Sequence, residues 1–262
     1  MLNAFKKLRP QLFPTLFLFL VFFFLYLPII ILLVFSFNTR EFPAPWEGFS
    51  LKWYYELFHT PEIWVAFFNS CIVGIASTFI CLTLAVFMIY FLASGGKIGK
   101  FIPIFYGNLI IPETVLAVGL LSYFSLMHIP LGLLTIIVAH TLVGLGFTIP
   151  ILYIRYRELD PKIFEASQTL GASHKQTFTK ISLPLMTPAL IATGLVTFIL
   201  SFDDFILAYF TSGSSLTLSL YLLSSIRYGI SPIINALASI LLIITCTLVF
   251  LFFSLKTKTR IL

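Results

Sequence analysis

Charged residues are scarce in this chain. Only 10% of its 262 residues are Asp, Glu, Lys or Arg, against about 25% in a soluble domain. Too little polar surface is available to cover a water-facing globule. Aspartate is limited to Asp160, Asp203 and Asp204, which disfavours a polytopic membrane transferase, since such an enzyme clusters several aspartates around metal and diphosphate. Cysteine is limited to Cys71, Cys81 and Cys246, each within an apolar run. They read as small buried hydrophobes and imply no disulfide framework. A phosphate-binding G-x-x-x-x-G-K-[ST] loop is missing. Ser94-Gly95-Gly96-Lys97 lacks the upstream Gly and the following Ser/Thr, so it reads as an ordinary turn. If ATP drives this protein, a separate subunit binds it.

Apolar residues fill the rest, at 59% of the chain with 30 Phe. Charge-free stretches run from Pro10 to Thr39, Ile63 to Gly96, Thr114 to Ile154 and Tyr228 to Leu255. Each exceeds the roughly 20 residues that cross a hydrocarbon core. These solid runs predict an all-α polytopic membrane protein; a β-barrel would show short alternating segments instead. Six spanning helices are expected at approximately 11–35, 63–92, 101–124, 132–154, 189–210 and 233–255. Lys6, Lys7 and Arg9 before the first run mimic a signal peptide. That run is too long and lacks a small-x-small cleavage site, so a retained first helix is expected.

Orientation follows from Lys and Arg. One side receives Lys6, Lys7, Arg9, Lys97, Lys100, Arg155, Arg157, Lys162, Lys175, Lys180, Lys256, Lys258 and Arg260, and the other only Arg40, Lys52 and Arg227. Thirteen against three places both termini and residues 155–188 in the cytoplasm. Topology then accounts for the net charge of +6, and with no soluble domain a nucleic-acid partner is excluded. Residues 1–62 form a first helix with an external loop, and 63–262 a core of five spans. Trp46, Trp53 and Tyr54 of the loop are expected in an interfacial aromatic belt.

Residues 155–188 carry their own folding signals. Asp160 suits an N-cap and Pro161 the first helical position. Ile163, Phe164 and Leu170 supply apolar contacts, and Gly171 suits a left-handed helix end. Ser173 with Gln176 reads as a capping box opening a second short helix, which Leu183-Pro184 and Pro188 are expected to stop before the next span. The stretch Glu165-Ala166-Ser167, Gly171 and Ile181-Ser182-Leu183-Pro184 resembles the "EAA" loop of binding-protein-dependent ABC import permeases. Ser167 is the one departure, small for small. The resemblance implies a type I ABC importer permease fold. It also implies that Glu165, Ala166, Ser167, Gly171, Ile181, Leu183 and Pro184 form a coupling element docking into an ATP-binding subunit.

Three acids lie inside spans: Glu113, Asp203 and Asp204. A charge at membrane depth costs roughly 3 kcal/mol or more and marks a functional site by default. Counted along unbroken helices at about 1.5 Å per residue, Glu113 and Asp203 lie roughly 18 Å and 21 Å from the cytoplasmic ends of their spans. Neighbouring residues on a helix point about 100° apart, so Asp203 and Asp204 share one pore only if the helix is interrupted. No Lys or Arg lies in the spans to neutralise them. They read as a cation pathway or as interhelical hydrogen-bonding groups. His128, at the outer end of its helix, and His140, within a span, read as structural.

Further stretches resemble the second permease subunits of bacterial spermidine/putrescine importers: Phe49-Ser50-Leu51-Lys52-Trp53-Tyr54, Ser201–Asp204, Phe210-Thr211-Ser212-Gly213, and Ser231-Pro232 with Asn235-Ala236-Leu237-Ala238. This resemblance implies a polyamine permease of the bacterial cytoplasmic membrane, working by alternating access. Its implied partners are an ATP-binding subunit dimer, a second permease subunit and an extracytoplasmic substrate-binding protein. No cofactor or metal is implied. Ferric ion or an oxyanion is the alternative cargo, and wholly acidic intramembrane charge argues against an oxyanion.

Overall fold

In lipid the backbone has no water to bond, so an apolar run closes its hydrogen bonds internally as a helix. The computed structural model describes residues 2–41, 45–97, 101–228 and 232–259. Lys100, Ser231 and Arg260 lie outside the described residues. Among those described, the only β pairing is an isolated bridge between Asn38 and Phe49. The helices are α1 (Leu2–Phe35), α2 (Lys52–His59), α3 (Pro61–Ala93), α4 (Ile102–Ile110), α5 (Glu113–Leu126), α6 (Leu133–Arg157), α7 (Pro161–Thr169), α8 (His174–Thr177), α9 (Leu183–Asp203), α10 (Ile206–Thr211), α11 (Leu218–Tyr228) and α12 (Pro232–Thr259), with a π-helical turn at Phe178–Ser182.

Four stretches are long and apolar enough to cross a membrane: Pro14–Phe35, Pro61–Ala93, Leu133–Arg157 and His174–Asp203. The α4–α5 pair passes the same test but is bent by 106°. The expected single helix at 101–124 is therefore broken. Ile111, preceding Pro112, is extended (ψ 130°), as steric clash with a proline ring requires. The expected span at 189–210 also differs. It begins earlier, runs unbroken through Pro184 and Pro188, and ends at Asp203. Pro184 follows directly on the π turn and Pro188 lies inside α9. Prolines are tolerated in such a span where local π adjustment and neighbouring helices re-satisfy the freed backbone groups.

The chain forms two compact units. The first joins residues 1–61 with 224–262, and in it α12 packs against α1 and α2. Its loop is built on buried Asn38. The Asn38 side chain donates to the Pro45 carbonyl at 3.1 Å and accepts the Glu47 N–H at 3.0 Å. Its own carbonyl accepts the Trp53 indole N–H at 2.7 Å. Trp53 is only 3% exposed, so it is the core of the loop rather than part of an aromatic belt. Trp46 stays exposed, and Tyr54 is half-buried with its hydroxyl 2.7 Å from Ser36 Oγ.

The second unit, residues 62–223, places α6 at its centre, against α4, α9 and α10. Ala85, Ile89, Ile102, Ile149, Leu152, Phe178 and Met186 form one buried cluster. A side chain at Gly144 would meet Cys81 Sγ at 2.8 Å and the Thr197 methyl at 3.1 Å. The small residue thus lets α6 approach α3 and α9 closely.

Candidate functional site

Two helix breaks meet in the second unit. At the first, Glu113 opens α5, where the free N–H groups of a helix start favour an anion. At the second, α9 ends with Asp203, and Asp204 turns extended (ψ 124°). The Asp204 Oδ1 accepts the Leu207 N–H at 3.0 Å and so caps α10, while Ser219 donates to the Asp204 carbonyl at 2.8 Å. α10 packs on α5, which brings Glu113 and Asp204 to the walls of one space. Irregular backbone inside an apolar bundle is tolerated where it lines a cavity.

A cavity of about 540 Å³ lies beside these breaks, lined among others by Glu113, His140, Phe147, Thr197, Ser201 and Asp204. A smaller one of about 250 Å³ shares Glu113 and Asp204 and adds Asp203 and Phe205. Neither is lined by a Lys or Arg among the described residues. The interruption settles the question of the adjacent aspartates. Exposed Asp203 lines only the smaller space, whereas the Asp204 side chain is 9% exposed and faces both. Because both helices are broken at their acids, counting residues along straight helices no longer gives a depth. The two carboxyl groups share a level because they line the same spaces.

Carboxyl groups that line one space with no Lys or Arg beside them can accept a cationic guest. Phe202 stacks on Phe198 and meets Phe67 edge-on, and Tyr209 is exposed and lines neither cavity. Phe147 and Phe205 are the aromatic walls. Among the described residues no group of three or more His, Cys, Asp or Glu is placed to hold a metal ion.

His140, read from sequence as structural, belongs to this site. It is 4% exposed. Its Nδ1 lies 2.7 Å from Ser201 Oγ and its Nε2 3.7 Å from Asp204 Oδ2. Ser77 on α3 donates to Ser201 at 3.2 Å. Two turns on in α6 and one turn back in α9, the hydroxyls of Thr148 and Thr197 meet at 3.0 Å, so α6 and α9 run antiparallel through a polar seam. One signal was available in the sequence: Ser201 and Asp204 are three apart and share a helix face. Nothing in the sequence pointed from either to His140.

The loop residues sit apart from the cavity. Asp160 accepts the Lys162 N–H at 3.0 Å, Ser173 and Gln176 form the capping box, and Gly171 has φ +89°. Ser167 is buried, its hydroxyl 2.9 Å from that of Thr177. It therefore ties α7 to α8 instead of offering a flat surface outward. Glu165 and Ala166 are exposed, and Leu170, expected to make apolar contacts, is 88% exposed. Phe164 does pack, stacked on Tyr156. Ile181 and Leu183 are half-buried and Pro184 is exposed as the chain enters α9.

No protein-family model matches the chain. The spermidine/putrescine transport system permease protein PotC of Escherichia coli K12 is 36% identical over 234 residues, covering 86% of this chain and 87% of its own. The putrescine transport system permease protein PotI of the same strain is 34% identical over 236 residues, covering 86% and 84%. A bacterial ABC transporter involved in import of the acidic polysaccharide alginate superimposes with a TM-score of 0.70 at 18% identity, over 98% of both chains. An alginate ABC transporter in complex with an alginate pentasaccharide-bound periplasmic protein gives 0.67 at 19% identity, over 95% and 93%. At such identity the structural likeness speaks to fold alone.

Proposed function

This chain belongs to the family of spermidine/putrescine transport permeases, and from that membership we propose that it is the membrane permease subunit of an ATP-driven polyamine importer. The observation that carries the proposal is the cavity that Glu113 and Asp204 line at two helix breaks. A polyamine presents ammonium groups on an apolar chain. Carboxylates suit the former and the apolar walls around Phe147 the latter, since cations favour ring faces. The solved alginate transporter carries an acidic cargo on the same fold, so the fold does not choose the sign of the cargo. The charge of the cavity does, and here it is acidic. That favours a polyamine over an oxyanion.

In this reading α12 is the sixth span and the broken α4–α5 pair the third. Both termini lie in the cytoplasm of a bacterium, with the chain in its cytoplasmic membrane. Residues 1–62 form the first transmembrane helix and an external loop, and 63–262 the permease core. The loop at 155–188 docks into an ATP-binding subunit through exposed Glu165, Ala166 and Leu170. Gly171 shapes its turn, and Ile181, Leu183 and Pro184 join it to α9. A second permease subunit completes the path and an external binding protein delivers the solute. The alginate transporter solved with its periplasmic protein supports that partner. α9 connects the docking loop at one end to Asp203 and Asp204 at the other, so movement of the loop reaches the acids through a single helix. Alternating access then opens the cavity to each side in turn, and loose binding there lets the solute leave.

The test is uptake of radiolabelled spermidine and putrescine by the assembled transporter in proteoliposomes, with ferric ion and sulfate as controls. Import of a polyamine is the expected result. Import of a control solute in its place overturns the cargo and leaves the permease assignment standing.

A further inference from the structure

Asp204 is secured through one oxygen and leaves the other incompletely held. Oδ1 accepts the Leu207 N–H at 3.0 Å. Oδ2 faces Nε2 of His140 at 3.7 Å, longer than a hydrogen bond. The imidazole is 2% exposed, and its Nε2 has no hydrogen-bond partner. A buried polar atom left unpaired is uncommon and marks a contact still to be made.

Ser77 Oγ lies within donating distance of both the Gly74 carbonyl, at 3.3 Å, and Ser201 Oγ, at 3.2 Å. Ser201 Oγ in turn lies 2.7 Å from Nδ1 of His140. A neutral imidazole that accepts at Nδ1 bears its hydrogen on Nε2, and this is the tautomer the proposal assigns. The run Ser77, Ser201, His140 joins α3, α9 and α6, and it ends at Nε2, 3.7 Å from Asp204 Oδ2.

We propose that His140 is a positioning residue for solute passage, whose Nε2–H closes onto Asp204 Oδ2 when a cation enters between Asp204 and Glu113. This rests on the polyamine-permease reading above. With Oδ1 on Leu207 and Oδ2 on His140, the carboxylate keeps one orientation while its remaining lone pairs meet the ammonium group. The relay also makes that orientation depend on how α3, α6 and α9 sit together. A change in helix packing can therefore loosen the seat and release the solute.

The experiment is putrescine uptake by the complete transporter in proteoliposomes at saturating loaded binding protein, measured for wild type, His140→Leu, His140→Gln, Ser201→Ala, Asp204→Asn and the doubles with Asp204→Asn. His140→Gln sets an amide N–H near the place of Nε2–H, whereas His140→Leu fills the volume without a donor. Loss of a hydrogen bond to a charged group predicts about a tenfold lower maximal rate for His140→Leu. His140→Gln should retain most of the rate. Neither His140→Leu nor Ser201→Ala should cause further loss once Asp204 is Asn, because both act through its carboxylate. Equal loss in Leu and Gln, wild-type rates in Leu, or losses that add fully to Asp204→Asn would each overturn the proposal. Should His140→Leu fail to assemble, Ser201→Ala decides: a loss confined to the Asp204 background supports the relay, and an equal loss in both backgrounds overturns it. If wild type imports no polyamine, the function assignment fails by that result alone, separately from the relay.

Discussion

The hydroxyls of Ser167 and Thr177 meet at 2.9 Å across the turn at Gly171, and with the Gln168–His174 contact at 3.2 Å this bond ties α7 to α8. Gly171 holds φ +89° with no atom near where a side chain would stand. The constraint there is conformational, not steric. Gly171→Pro demands φ near −65°, and so it breaks the geometry that brings Ser167 to Thr177. The purified complex with this change should still bind loaded binding protein and lose solute-stimulated ATP hydrolysis. Normal stimulation in an ATPase assay would contradict the docking role of the loop.

The carboxylates of the cavity yield a second expectation. Asp204→Asn and Glu113→Gln should each lower polyamine uptake by about tenfold or more, the scale expected for a lost charged hydrogen bond. Complex assembly, followed by co-purification of the subunits, should be unchanged. Asp203→Asn should have a smaller effect, because Asp203 lines only the smaller space. Unchanged uptake in the Glu113/Asp204 double variant would reduce both acids to interhelical contacts.

Trp53 tests the loop of the first unit. Trp53→Phe keeps the ring and removes the N–H that satisfies the buried Asn38 carbonyl. An unsatisfied group of this kind costs about 1–3 kcal/mol. A lower apparent melting temperature is expected by fluorescence-detected size-exclusion, with uptake retained at low temperature. An unshifted midpoint would show that water replaces the indole.

Topology rests on charge asymmetry and is measured directly. Reporter fusions after Leu262 should read as cytoplasmic, and fusions within Trp46–Lys52 as external. An external C-terminal reporter would remove the orientation, and with it the placement of the 155–188 loop beside an ATPase.

The amino-acid sequence by itself determined the class of this protein and the details of its most local structure. Long charge-free runs can only be helices where water is absent. The caps at Asp160 and Ser173 and the turn at Gly171 involve partners two or three residues away, so their residue types suffice to place them. Only the tertiary structure decided how the acids are used. The break at Ile111-Pro112 was half-written in its proline, yet a proline also sits inside α6 and inside α9 without breaking them. Whether a helix yields at such a residue depends on neighbours that re-satisfy its backbone. The approach of Glu113 to Asp204, and of His140 to Ser201 61 residues away, arises from the packing of α5 on α10 and of α6 on α9. A lone histidine in an apolar run carries no period or spacing that points to its partner, so its place beside Asp204 emerges only when the helices are brought together.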